Sequence, residues 1–169
     1  MPFAKRLLVI GKLSSIVILT LAVLAIAAGQ LGLLRGTPPT DLGVSGGRLK
    51  PPSYTENSVS SQASLHPDHP QRRYAEVAPI ALRGDGAATI ARLRRVVTAM
   101  PGAQIIDSRP DYIYAQFTTK WMKFVDDTEF WFDPAGQVVH VRSASRVGLR
   151  DMGVNRARVE EVRAALDRD

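Results

Sequence analysis

Residues 13–34 read LSSIVILTLAVLAIAAGQLGLL, 22 consecutive positions without a formal charge. A run of that length has few stable homes. As a helix it spans about 33 Å at about 1.5 Å per residue, enough to cross a hydrocarbon layer of about 30 Å. Its polar members are Ser14, Ser15, Thr20 and Gln30. The hydroxyls can bond back to helix carbonyls, and Gln30 sits near one end. Lys5, Arg6 and Lys12 precede the run, and only Arg35 follows it closely. The positive-inside rule therefore predicts residues 1–12 in the cytoplasm, residues 13–34 as a transmembrane helix in contact with lipid, and the rest across the membrane. The competing reading is a cleaved signal peptide, with Lys5 and Arg6 as its basic start and Ala25-Ile26-Ala27 as its cleavage site. The apolar stretch runs on past that site, longer than the usual core of about 7–15 residues, which favours an uncleaved anchor.

The topology also accounts for the charge. The 169-residue chain carries a net +6. Without Lys5, Arg6, Lys12 and Arg35, which flank the apolar run, 18 basic residues stand against 16 acidic ones. They are interleaved, and no RNA-binding aromatic motif accompanies them, so nucleic acid is not an expected partner. Cysteine is absent, which excludes disulfides, thiolate-held metals and a thiol nucleophile.

Residues 35–73 change texture. Six prolines (Pro38, Pro39, Pro51, Pro52, Pro67 and Pro70) fall among Gly, Ser, Thr and Asn, and large apolar residues show no period. This predicts an extended segment, either a free tether or a strap lying over the domain. His66, Asp68 and His69 fall too close together on a stiff Pro-flanked stretch to promise a metal site, and a solvated loop is expected there.

Residues 74–169 are enough for one compact domain. Tyr74–Leu82 reads as a strand interrupted by Pro79. Asp85–Met100 reads as an amphipathic helix with Ile90, Leu93, Val97 and Met100 on one face, ended by Pro101-Gly102. Ala103–Asp107 and Tyr112–Thr119 read as one hairpin, Phe124–Phe132 and Val138–Ser145 as another. In the second strand Ile113, Ala115 and Phe117 alternate with Tyr112, Tyr114 and Gln116. A final helix is expected from Asn155 as N-cap, stapled by Val154 and Val159, with Val159, Val162 and Leu166 buried. The order β-α-β-β-β-β-α predicts an α+β domain of two layers: an antiparallel sheet of four to five strands with two helices on one face.

The densest polar cluster follows Phe124. A hairpin pairing Phe132 with Gln137 would set Asp127 opposite Arg142, Glu129 opposite His140, and Asp126 opposite Ser143. The first two are complementary cross-strand pairs on a solvated face. Asp126 is different, because it shares a face with Phe124, Thr128, Phe130 and Phe132. Buried there, it needs hydrogen bonds or a cation. Arg146, Ser145, Arg156 or amides of residues 148–153 are candidates. Asp126, Asp127, Arg142, Ser143, Ser145, Arg146, Asp151, Asn155 and Arg156 thus form one candidate cluster. It reads either as a structural staple between last helix and sheet or as the floor of a pocket for a small anion or lipid headgroup. His140 lies three residues from Ser143 and five from Ser145, on the opposite strand face from both, so no nucleophile–base pair forms. Asp126, Asp127 and Glu129 diverge along a strand, and no Gly-rich phosphate loop is present. The sequence therefore offers no catalytic, metal or cofactor residue set.

One run within the cluster is specific. Phe124-Val125-Asp126-Asp127 with Glu129, Val141 through Arg146, Gly148, Asp151, Gly153 through Arg156 and Val159 resemble the domain of unknown function 1499 family. Gly43-Val44, Gly47-Arg48-Leu49 and Asn57 through Ala63 extend the resemblance, which covers about residues 43–165. It implies a small membrane-anchored or exported bacterial or plastid domain with no assigned reaction, and an extended segment that packs on the domain. The family pattern has Cys where this chain has Pro52 and Ser58, so any role of that pair is lost here. The expectation that results is a non-enzymatic interaction module of the bacterial inner membrane with its domain in the periplasm. It would serve an integral membrane protein or complex as an accessory or assembly subunit. Trp121, Trp131, Tyr112 and Tyr114 are candidate interface residues, and Ser14, Ser15, Gly29 and Gly32 candidates for helix packing in the membrane.

Overall fold

The computed structural model describes residues 3–168. Met1, Pro2 and Asp169, the outermost positions of the expected N-terminal segment and domain, lie outside the described residues, as do the side chains of Ala4 and Arg6. Helix α1 runs from Phe3 to Gln30. Its Leu7–Gln30 portion is long and apolar enough to cross a membrane, and its composition suits an anchor or a signal sequence. Ser15 Oγ donates to the Gly11 carbonyl, so this hydroxyl is satisfied inside the helix.

The helix stops at Gln30, short of Leu34. Gly32 sits at φ +81°, a left-handed position that a side chain would resist. The Gly32 N–H reaches Gly29 O and the Leu33 N–H reaches Ala28 O, the paired bonds of a Schellman stop. The helix end then meets the domain. Gln30 Nε2 donates to the carbonyls of Lys120 and Trp121, and a Cβ at Gly29 would overlap the Met122 backbone. Both glycines expected to support packing in the membrane are thus engaged otherwise, while Ser14 and Ser15 remain on the outside of the helix.

The sheet has six strands: β1 (Ser58–Ser60), β2 (Ile80–Ala81), β3 (Ala103–Arg109), β4 (Tyr112–Thr118), β5 (Val125–Asp133) and β6 (Val138–Ser145). All pairs are antiparallel in the order β1-β6-β5-β4-β3, with β2 also on β6. Helices α3 (Gly86–Ala99) and α4 (Val154–Arg168) cover one face. Ile90, Leu93 and Val97 from α3 and Val159, Val162 and Leu166 from α4 pack there on Ile113, Phe117, Phe130, Val139 and Val141. The fold is α+β in two layers, as its alternation of elements predicts. Asp85 caps α3 by accepting the Ala88 N–H at 2.7 Å.

Three expectations are corrected. The sheet has six strands rather than four to five, because β1 forms within the proline-rich stretch and pairs with residues 142–144 of β6. Most of Tyr74–Leu82 is not a strand: Arg72–Ala75 winds one helical turn (α2), Glu76 makes an isolated parallel bridge to Ser60, and only Ile80 and Ala81 form a strand. Side chains of α4 replace the missing ladder. Arg156 donates to the carbonyls of Tyr74 and Glu76, and Arg163 to those of Ala78 and Pro79. The second hairpin is offset by two residues, pairing Phe132 with Val139 and Asp133 with Val138. Its four-residue turn is held by Asp133 Oδ1 accepting the Ala135 N–H, with Gln137 at φ +50°.

Candidate functional site

That register, together with strand alternation, divides the expected cluster between two sheet faces. Glu129 stands opposite Arg142, Asp127 opposite Ala144, Asp126 opposite Ser145 and Thr128 opposite Ser143. The expected pairings Asp127–Arg142, Glu129–His140 and Asp126–Ser143 are not formed; His140 faces Trp131 instead.

On the helix face, the partner of Asp126 is Arg158, absent from the candidates offered by the sequence. Arg158 Nη2 donates to Asp126 Oδ2 at 2.6 Å, its Nη1 to Ser143 Oγ and Asn155 Oδ1, and its guanidinium lies 4.6 Å from the Phe117 ring centroid. Ser143 Oγ also bonds Thr128 Oγ1 and Asn155 Oδ1. Asn155 Nδ2 donates to Ser145 Oγ, to Asp151 Oδ2 and to Asn57 O, tying α4 to β6 and to the residue just before β1. Asn155 is therefore not the N-cap. Asp151 performs that job, accepting the N–H groups of Gly153 and Asn155. Val154, the expected staple residue, is exposed. Burial opposes the Asp151 charge, but the Tyr74 hydroxyl and those amides outweigh it and hold its pKa below 3.8. Burial and the Asp151 carboxylate together push the Tyr74 hydroxyl up to about 12, so it stays a donor. Arg156 is spent on backbone carbonyls at α2. This half of the cluster closes on itself and links α4 to the sheet.

The other face is covered by the proline-rich stretch, which lies across the sheet as a strap. Gly43 donates to Glu129 Oε1 at 2.7 Å, Pro51 O accepts from Arg142 Nε, and Gln62 accepts the Leu49 N–H while donating to Gly47 O. Leu49 packs on Tyr112 and Trp131, so these two expected interface residues are buried and Tyr114 partly so; Trp121 is 62% exposed. Ser58 Oγ accepts the Ser53 N–H and closes that loop.

Beneath the strap, Arg146 makes two bonds to Asp127, at 2.7 and 2.8 Å. The Asp127 bond raises the Arg146 pKa further. Tyr112 donates to Glu129 Oε1, whereas Glu129 Oε2 is buried without a hydrogen bond, 3.8 Å from Arg142 Nη1. Burial pushes the Glu129 carboxyl up against the opposing pull of Gly43, Tyr112 and Arg142, and burial likewise lowers the Arg142 pKa. A cavity of about 440 Å³ opens between strap and sheet, lined by Arg142, Arg146, Asp127, Pro51, Pro52 and His69 among others.

The structure also juxtaposes residues that sequence spacing could not. Ser61, on the strap, places Oγ 3.0 Å from His140 Nδ1, and Asp133 Oδ2 lies 3.6 Å from Nε2. Ser61 Oγ already accepts the Val141 N–H, and burial lowers the His140 pKa despite Asp133. The trio fastens the strap to β6. Ser143 and Ser145 lie on the face away from His140, as alternation requires. Among the described residues no group of three His, Asp or Glu side chains converges, and His66, Asp68 and His69 do not form one.

An antiparallel sheet covered on one face by two helices, on the other by a clamped strap, and preceded by an apolar helix defines a small, helix-tethered α+β domain. The family described as protein of unknown function (DUF1499) matches residues 48–166, and the chain belongs to that family. No curated protein matches it.

Proposed function

We propose that this chain is a single-pass, non-enzymatic module of the bacterial inner membrane, with its N-terminus cytoplasmic and its domain periplasmic, acting as an accessory or assembly subunit of an integral membrane complex. The observation that carries this reading is the junction between α1 and the domain. The anchor does not end in a loose linker, because Gln30 and Gly29 dock on residues 120–122 and Gly36 on Arg146 and Val147. The loops met by the helix end and by Gly36 also carry exposed Trp121, Val147, Leu149 and Met152, and Val154 is exposed at the start of α4. Lys120 lies 5.1 Å from the Trp121 ring centroid. Aromatic and basic side chains with neighbouring aliphatics suit a membrane–water boundary. An apolar rim continuous with the spanning helix supports contact with lipid and with a partner in the same membrane, not with nucleic acid.

Native electrophoresis of gently solubilised membranes, followed by mass spectrometry, tests this. Comigration with a large assembly is the expected result. Migration alone, near 18.4 kDa plus detergent, overturns the accessory-subunit reading.

A further inference from the structure

Arg142 and His69, which line the cavity under the strap, carry hydrogen-bond donors without an acceptor among the described residues. Arg142 has a side chain only 5% exposed. Its Nε donates to Pro51 O at 3.2 Å, and its terminal nitrogens make no hydrogen bond. The nearest carboxylate oxygen, at 3.8 Å, is too far for one. The second donor is His69. Its Nδ1 accepts the Gln71 N–H, which places the ring hydrogen on Nε2, and Nε2 is buried and unpartnered. The other cations at the cavity are occupied: Lys50 pairs with Asp41 at 2.6 Å, and Arg146 with Asp127.

Leaving a buried donor such as His69 Nε2 unpaired is costly, and an incoming acceptor relieves that cost. A guanidinium edge matches two oxygens of a carboxylate or phosphate. We propose that this cavity binds a small oxyanion, with Arg142 and the Nε2–H of His69 as donors and Pro39, Leu42 and Pro52 as the wall for the group that carries it. The volume of about 440 Å³ exceeds what a bare phosphate fills. Thr37 lines the cavity directly after Gly36, which packs on Arg146, so the site lies beside the point where the chain leaves the anchor. A lipid headgroup and a free solute both supply this chemistry.

The full chain in dodecyl maltoside, titrated with inorganic phosphate or acetate against chloride at constant ionic strength, gives the test. A saturable rise in Tm with at least one anion is expected. Arg142→Gln should move the half-saturation point at least tenfold. His69→Ala, at a position less central to folding, should move it several-fold and guards against a misfolded arginine variant. Saturation by dihexanoyl phosphatidic acid tenfold tighter than by glycerol 3-phosphate supports the proposal with a lipid as the source. Equal saturation supports it with a free solute. Absence of saturation with every probe, or unchanged half-saturation in both variants, overturns it.

Discussion

Asp126 and Arg158 lie 32 positions apart in the chain, yet they form a buried ion pair of 2.6 Å between sheet and last helix. Removing one member of such a pair strands the other in a poorly solvated site. Asp126→Asn should therefore destabilise the domain by about 3–5 kcal/mol in urea unfolding, while Asp126→Leu combined with Arg158→Met should recover much of that loss. Strand alternation already marks Asp126 as a carboxylate facing apolar neighbours. Its partner is hidden from the sequence, because Arg158 reads as one more arginine on a charged helix and only the docking angle of α4 selects it. Asp151 adds a pH dependence of definite sign. Its pKa is depressed below 3.8 in the folded chain, so its stabilisation is full above about pH 4 and fades as the pH falls through the folded value. Asp151→Asn should cost about 1–3 kcal/mol at pH 7, and its gap from the parent chain should narrow at pH 3, read by circular dichroism in urea.

At the scale of elements, the four long strands and both domain helices are legible because each carries its own period. Ile113, Ala115 and Phe117 point to the helices as alternation requires. The hairpin register is not legible in the same way. Two residues of turn length decide whether Arg142 meets Asp127 or Glu129, and that length depends on Asp133 capping Ala135. The short edge strands are equally silent, because their backbone groups are satisfied by partners remote in sequence: β6 for β1, and Arg156 and Arg163 beside β2. The two faces of the candidate cluster were legible, since alternation alone separates Asp126 from Asp127 and Glu129, but the partners on each face were not, because an offset of two residues keeps the faces and changes every cross-strand pair. The strap provides a direct check. Gln62 is buried and holds Leu49 and Gly47 through both amide atoms. Gln62→Ala should free this segment at a cost of about 1–3 kcal/mol, and limited trypsin digestion should then cut after Arg48 several times faster.

At the scale of the whole molecule, the apolar run announces a helix long and apolar enough to cross a membrane, but nothing in its composition announces that the helix is fastened to the domain. That connection rests on the absence of a Cβ at Gly29 and on a single amide at Gln30. Gly29→Val should part helix from domain without unfolding the sheet, seen as faster tryptic cleavage after Arg35 with an unchanged domain Tm. The fastening also governs azimuth. A helix clamped to its domain turns with it, so, with the helix crossing the membrane as proposed, each residue inserted into it would swing the domain by about 100° around the bilayer normal. Single-alanine insertions near Leu19 should consequently disturb contact with the proposed membrane partner in a periodic way, worst near half a turn and easing again near a full one. A domain on a slack tether would show only a gradual dependence on length.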